Sequence, residues 1–118
     1  MHIVGIGTDI VALKRIRRAP NFDRILEYVC VPSERVYIME KSRSKTQSLG
    51  TYFAVKEAVI KAFPAEIGYQ HITLQRGSRG LTVSVDHASS DEYQVLVSLA
   101  HEFAYVVSTA LVYRKSYV

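Results

Sequence analysis

The alternation of apolar and polar positions changes period along this chain, and the change divides it into elements. Residues 2 to 8 are β-branched residues alternating with glycine, which predicts a first strand. Gly5 and Gly7 within it would let another backbone or a ligand come close. Residues 12 to about 18 take a helical pattern that Pro20-Asn21 ends. FDRILEYV places Phe22, Ile25, Leu26 and Val29 on one helical face, and Pro32-Ser33-Glu34 opens another helix that VYIME continues. The clearest helix is TQSLGTYFAVKEAVIKAF, residues 46 to 63. Its apolar stripe comprises Leu49, Tyr52, Phe53, Val59, Ile60 and Phe63, and Pro64 stops it.

Beyond residue 70 the period becomes that of strands. HITL and LTVSV flank QRGSRG, whose glycines suit a hairpin turn, and YQVLVSLAH and FAYVVSTALVYR form a longer pair joined near His101-Glu102. Strand, helices, then several strands predicts an α+β fold, with an antiparallel-type β-sheet packed against a long helix and shorter helices. No repeat, low-complexity stretch or linker interrupts the order, so residues 1–118 read as a single domain. A chain of this length buries roughly two-thirds of its unfolded surface.

Composition adds three constraints. No apolar run approaches the roughly 20 residues of a membrane span, and the N-terminus lacks a signal-peptide pattern. Cys30 is the single cysteine, so there is neither an internal disulfide nor a cysteine zinc cluster, and a cytoplasmic protein is expected. The net charge is +4, which favours acidic partners, and it is concentrated in two windows. One holds Lys14, Arg15, Arg17, Arg18 and Arg24, the other Arg35, Lys41, Arg43 and Lys45. The first, with no acid between Lys14 and Arg18, reads as a binding surface rather than a solvated helix face, because uncompensated positive charge repels itself.

The chemistry rests on acids set in apolar sequence. Asp9 lies in GIGTDIV, where an ionised carboxylate is costly unless a cation or hydrogen bonds compensate it. It either ends the strand and caps the next segment, or serves as a ligand. Glu57 lies at the edge of the long helix's apolar stripe, with Lys61 one turn beyond. The pair is either a surface i, i+4 ion pair or part of a site. Two carboxylates brought together from a strand and a helix suit a hard cation such as Mg²⁺, which completes its shell with water and phosphate oxygens. A nearby lysine would neutralise further phosphate charge.

GIGTDIV, FAVKEAVIKAF and VSLAH together resemble the three signature blocks of the 4′-phosphopantetheinyl transferases, of the small holo-[acyl-carrier-protein] synthase type. The resemblance spans roughly residues 3 to 112. It implies transfer of the phosphopantetheine arm of coenzyme A to a serine of apo acyl carrier protein, with release of adenosine 3′,5′-bisphosphate. It also implies Asp9 and Glu57 as ligands of the Mg²⁺ that bridges the coenzyme A pyrophosphate, and Lys61 on the attacked phosphate or the leaving oxygen. Glu57, directly or through a metal-bound water, would accept the serine proton. Arg15, Arg18 and Arg24 would dock the acidic carrier protein, and such charges chiefly raise the association rate. Arg43, Lys45 and His101 would lie near the nucleotide, with a structural hydrogen bond the competing role for His101. The small members of the family are homotrimers with sites between subunits.

Three positions depart from the family pattern. Thr51-Tyr52-Phe53 stands where Gly-Arg-Phe is usual, Gly80-Leu81-Thr82 where Gly-Lys-Pro is usual, and Ala100 where a hydroxyl residue precedes the final histidine. Each removes a coenzyme A contact and leaves the carboxylate pair intact. A non-catalytic homologue that docks carrier proteins without transfer is therefore the alternative. A nucleic-acid-binding domain ranks lower, because no recognised motif and no aromatics interleaved with the basic clusters support it.

Overall fold

A computed structural model of the chain describes residues 2–115. Strand β1 (His2–Ala12) leads through three short helices, α1 (Leu13–Arg17), α2 (Phe22–Val29) and α3 (Pro32–Glu40), into the long helix α4 (Lys45–Ala62). Strands β2 (Ile72–Gly77), β3 (Gly80–Val85), β4 (Tyr93–His101) and β5 (Tyr105–Arg114) follow. The α+β architecture expected from the sequence is present, divided between two antiparallel sheets: a three-stranded one in the order β1-β5-β4 and a β2-β3 hairpin. Ser78 and Arg79 form the hairpin's tip, and Gly80 takes φ +105°, the left-handed region that a side chain disfavours. Among the described residues no helix is long and apolar enough to cross a membrane.

Strand β1 runs four residues further than its glycine-rich start predicts. Asp9 therefore lies within the strand, paired with Ser108 of β5, and Ala12 takes the N-cap position of α1. The strand-end capping role for Asp9 is thus excluded. Register defines the two faces of the larger sheet. Gly7, Ala110 and Val97 lie in one row and Asp9, Ser108 and Leu99 in the next, on the face that packs on α4. Rows Ile6, Leu111, Leu96 and Ile10, Val107, Ala100 form the opposite face.

Helix α4 is held on more sides than a single stripe implies. Leu49, Tyr52 and Val59 are buried as the pattern predicts, but so are Gly50, Thr51, Ala54, Val55, Lys56, Ala58 and Ala62. Phe53 and Ile60 are only partly buried. The alanines and glycines explain the close fit. A Cβ at Gly7 would collide with the Ala58 carbonyl, and one at Gly5 with that of Ala62. Only glycine lets β1 lie this close to the helix, so the sequence-level reading of Gly5 and Gly7 is met by backbone.

Candidate active site

The close approach of β1 to α4 brings the strand carboxylate to the helix side chains. Lys61 Nζ donates to the Thr8 carbonyl at 3.0 Å and to Asp9 Oδ1 at 3.1 Å. Asp9 is partly buried, with its side chain 17% exposed against 50% for Lys61. One turn earlier, Glu57 accepts a hydrogen bond from the Tyr69 hydroxyl. The surface i, i+4 pairing is replaced: Lys61 reaches across to the strand, and Glu57 engages the segment after α4. Burial, and then the hydrogen bond with Glu57, push the Tyr69 phenol well above its usual range.

Asp9 and Glu57 line one cavity of about 540 Å³. Arg15 and Arg24 line the same cavity, with apolar walls from Val11, Ile16, Ile25 and Phe53. Arg18 is exposed at the C-cap of α1 and does not line it, and Lys14 and Arg17 are likewise exposed. Among the described residues no group of three or more His, Cys, Asp and Glu side chains gathers for a metal. The donor set is therefore two hard carboxylates, each with one oxygen engaged by a protein donor. That suits a hard cation which takes one or two protein carboxylates and fills its shell with water and substrate oxygens.

A second cavity, of about 650 Å³, opens beside the N-terminus of α4. Arg43 and His101 line it, whereas Lys45 lies outside its wall. The Gln47 side-chain amide is 3.2 Å from His101 Nδ1 and 3.3 Å from Nε2, which ties β4 to α4. Ser44 caps the helix by accepting from the Gln47 N–H at 3.2 Å.

Two features escaped the sequence reading. Tyr69 has no local signal in IGYQH, and its role arises from α4 packing on the segment that follows. Lys56 did have one. It stands in AVKEAV between apolar neighbours, as Asp9 does in its strand, and it is 0% exposed. Its three donors are all used: to Glu34 Oε1 at 2.6 Å, Val29 O at 2.8 Å and Tyr69 O at 3.1 Å. Glu34 also accepts from the Val31 N–H at 2.9 Å and, through Oε2, from the Leu74 N–H at 2.7 Å. This buried pair fixes α3, α4 and β2 together and sits one residue before Glu57.

The family model of the 4′-phosphopantetheinyl transferase superfamily matches residues 5–113. The holo-[acyl-carrier-protein] synthase of Chlamydia muridarum is 37% identical over 116 residues, covering 91% of this chain and 92% of the relative. That of Chlamydia pneumoniae is 33% identical over 120 residues, covering 94% and 98%. Among solved structures, the Bacillus anthracis holo-(acyl-carrier-protein) synthase in complex with CoA (3′,5′-ADP) superposes with a TM-score of 0.84 at 26% identity, covering 98% of this chain and 100% of that one. The Helicobacter pylori synthase in complex with coenzyme A shares the fold at a TM-score of 0.77 and 24% identity, covering 91% and 98%. The family model over residues 5–113 and relatives at 37% and 33% identity place the chain among group transferases, and it belongs to the 4′-phosphopantetheinyl transferase superfamily. Within it, the chain falls with the holo-[acyl-carrier-protein] synthase type.

Proposed function

We propose that this chain transfers the 4′-phosphopantetheine moiety of coenzyme A to a serine of apo acyl carrier protein, giving holo acyl carrier protein and adenosine 3′,5′-bisphosphate. One observation carries the reading: Asp9 of β1 and Glu57 of α4 line one cavity, with Lys61 on Asp9 and with Arg15 and Arg24 in the same wall. Asp9 and Glu57 are the residues that would hold Mg²⁺, which when bound neutralises pyrophosphate charge and polarises the phosphorus. Phosphoryl transfer depends mainly on positioning and on charge stabilisation. Lys61, fixed by Thr8 and Asp9, supplies a cation for the phosphate under attack or the leaving oxygen. Glu57 is the acceptor for the serine proton, directly or through water, and Tyr69 holds its carboxylate in place.

Arg15 and Arg24 line the approach to this cavity and are the first docking contacts for an acidic carrier protein, with Arg18 further out on the same basic window. Arg43, Lys45 and His101 are assigned to the nucleotide end of coenzyme A, with Arg43 and His101 in the cavity wall and Lys45 at the first position of α4. The assembly is a homotrimer, which the uncovered sheet face favours: Ile6, Ile10 and Leu96 are 68%, 59% and 53% exposed there. We assign the activity to fatty acid biosynthesis. A lone, buried Cys30 suits the reducing cytoplasm, where the activity is placed.

The test is intact-mass analysis of apo acyl carrier protein incubated with the chain, coenzyme A and Mg²⁺. A gain of one phosphopantetheinyl group, lost with chelator and with Asp9→Ala or Glu57→Ala, is expected. Carrier-protein binding without any mass gain, across several carrier proteins, would instead identify a docking module.

A further inference from the structure

The cavity at the start of α4 is lined by Lys41, Arg43, Arg76 and Arg79, together with His101, and among the described residues by no aspartate or glutamate. Four side chains cationic at neutral pH around one cavity repel one another until an anion joins them. Its wall also carries the hydroxyls of Ser44 and Thr51, which can donate to anion oxygens, whereas Ser42 donates to the Ser44 carbonyl at 2.9 Å and pairs with Ser48.

Of these cations, Arg76 is the one held by aromatic surfaces. It extends from β2, with its guanidinium carbon 4.5 Å from the centre of the Tyr37 ring and 5.6 Å from that of Tyr52. The two rings are stacked, 6.5 Å apart at 23°. Besides its hydrogen bond to the Tyr52 hydroxyl, a guanidinium with five N–H donors keeps others for an anion. Tyr37 belongs to α3 and Tyr52 to α4, so three elements fix one cation at the cavity wall. Position 52 is itself uncharged, and the hairpin delivers the positive charge over that ring.

Coenzyme A carries phosphate in two places, a diphosphate and a 3′-phosphomonoester. The bond broken in transfer lies within the diphosphate, so that group belongs at Asp9, Glu57 and Lys61. The remaining anion is the 3′-phosphate, whose second ionisation near pH 6 leaves it almost doubly charged at neutrality. A planar guanidinium fork matches such a group. We propose that Arg76, assisted by Arg79, binds the 3′-phosphate and is the residue by which this chain distinguishes coenzyme A from its 3′-dephospho form. The proposal rests on coenzyme A being the substrate.

The experiment compares steady-state transfer from coenzyme A and from 3′-dephospho-coenzyme A by the intact protein, Arg76→Ala and Arg76→Lys. Calorimetric titration with 3′,5′-ADP and 5′-AMP runs in parallel. Arg76→Ala should raise KM for coenzyme A about tenfold, the size of a lost charge-assisted hydrogen bond. Its kcat/KM preference for coenzyme A over the dephospho form should collapse towards one, and its preference for 3′,5′-ADP over 5′-AMP should shrink in step. Arg76→Lys should fall between, since it keeps the charge and loses the fork. An equal loss for both substrates, or an unchanged preference in a variant with a wild-type melting temperature, overturns the role of Arg76 while transfer itself stands. Failure of the unaltered protein both to transfer and to bind 3′,5′-ADP would overturn the substrate reading, and this inference with it.

Discussion

Lys56 and Glu57 are neighbours in sequence and opposites in function. Lys56 is sealed in the interior with every donor used, whereas Glu57 lies at a cavity. Replacing Lys56 with methionine would leave the Glu34 carboxylate buried without its cation, at a cost of about 3–5 kcal/mol. Urea titration should show the midpoint fall accordingly, with Glu34→Gln also destabilising because Oε2 serves the Leu74 N–H. Tyr69→Phe should leave stability nearly unchanged and lower kcat more than it raises KM, since it frees the Glu57 carboxylate without touching nucleotide contacts. Cys30 gives a pH signature. Burial, then the Glu34 charge, push its thiol up from 9.0 to about 12. The folded form therefore holds this proton more tightly than the unfolded form. The associated stability is fully present below pH 9 and is lost as pH rises from 9 towards 12. Chemical unfolding across that range should show Cys30→Ala with a shallower alkaline decline than the unaltered chain.

At the scale of elements, the glycines of β1 govern the site because they set its distance from α4. Gly7→Ala would press a methyl group into the Ala58 carbonyl, a backbone atom that cannot swing aside. The expected cost is about 3 kcal/mol or more, with activity lost alongside stability as Asp9 moves away from Lys61. Calorimetric melting and the mass-gain assay together would check both. These elements were legible because their periods are strong: alternating β-branched residues in β1, glycines around the β2–β3 turn, prolines bounding α3 and α4. Two sheets rather than one were not legible, because the sequence marks strands without saying which edges pair. Asp9, Glu57 and Lys61 could be singled out by charge in apolar sequence. Tyr69 and Arg76 could not, since each matters only through packing against residues 12 or more positions away.

For the whole molecule, the larger sheet has one face on α4 and the other uncovered by any described residue. Ile6 and Leu96 flank Leu111 in one row, and Thr8 and Thr109 meet at 3.4 Å in the next. A second copy of the chain is the occupant that the proposed trimer supplies. Ile6→Glu combined with Leu96→Lys should turn trimers into folded monomers in sedimentation velocity, with the circular dichroism spectrum retained. A trimer that persists in this variant would show that another surface joins the subunits.

The Glu34 carboxylate that receives the Leu74 amide also anchors the base of the β2–β3 hairpin, two residues from Arg76. Such an arm is clamped at its root and open at its tip, where Gly77 to Gly80 are exposed. Loop length at the tip can then drift between related proteins without shifting the guanidinium, because the anchor and not the turn sets its reach. Inserting two glycines between Ser78 and Arg79 should leave the Leu74 amide among the slowest to exchange with deuterium and leave Arg76 on its tyrosines.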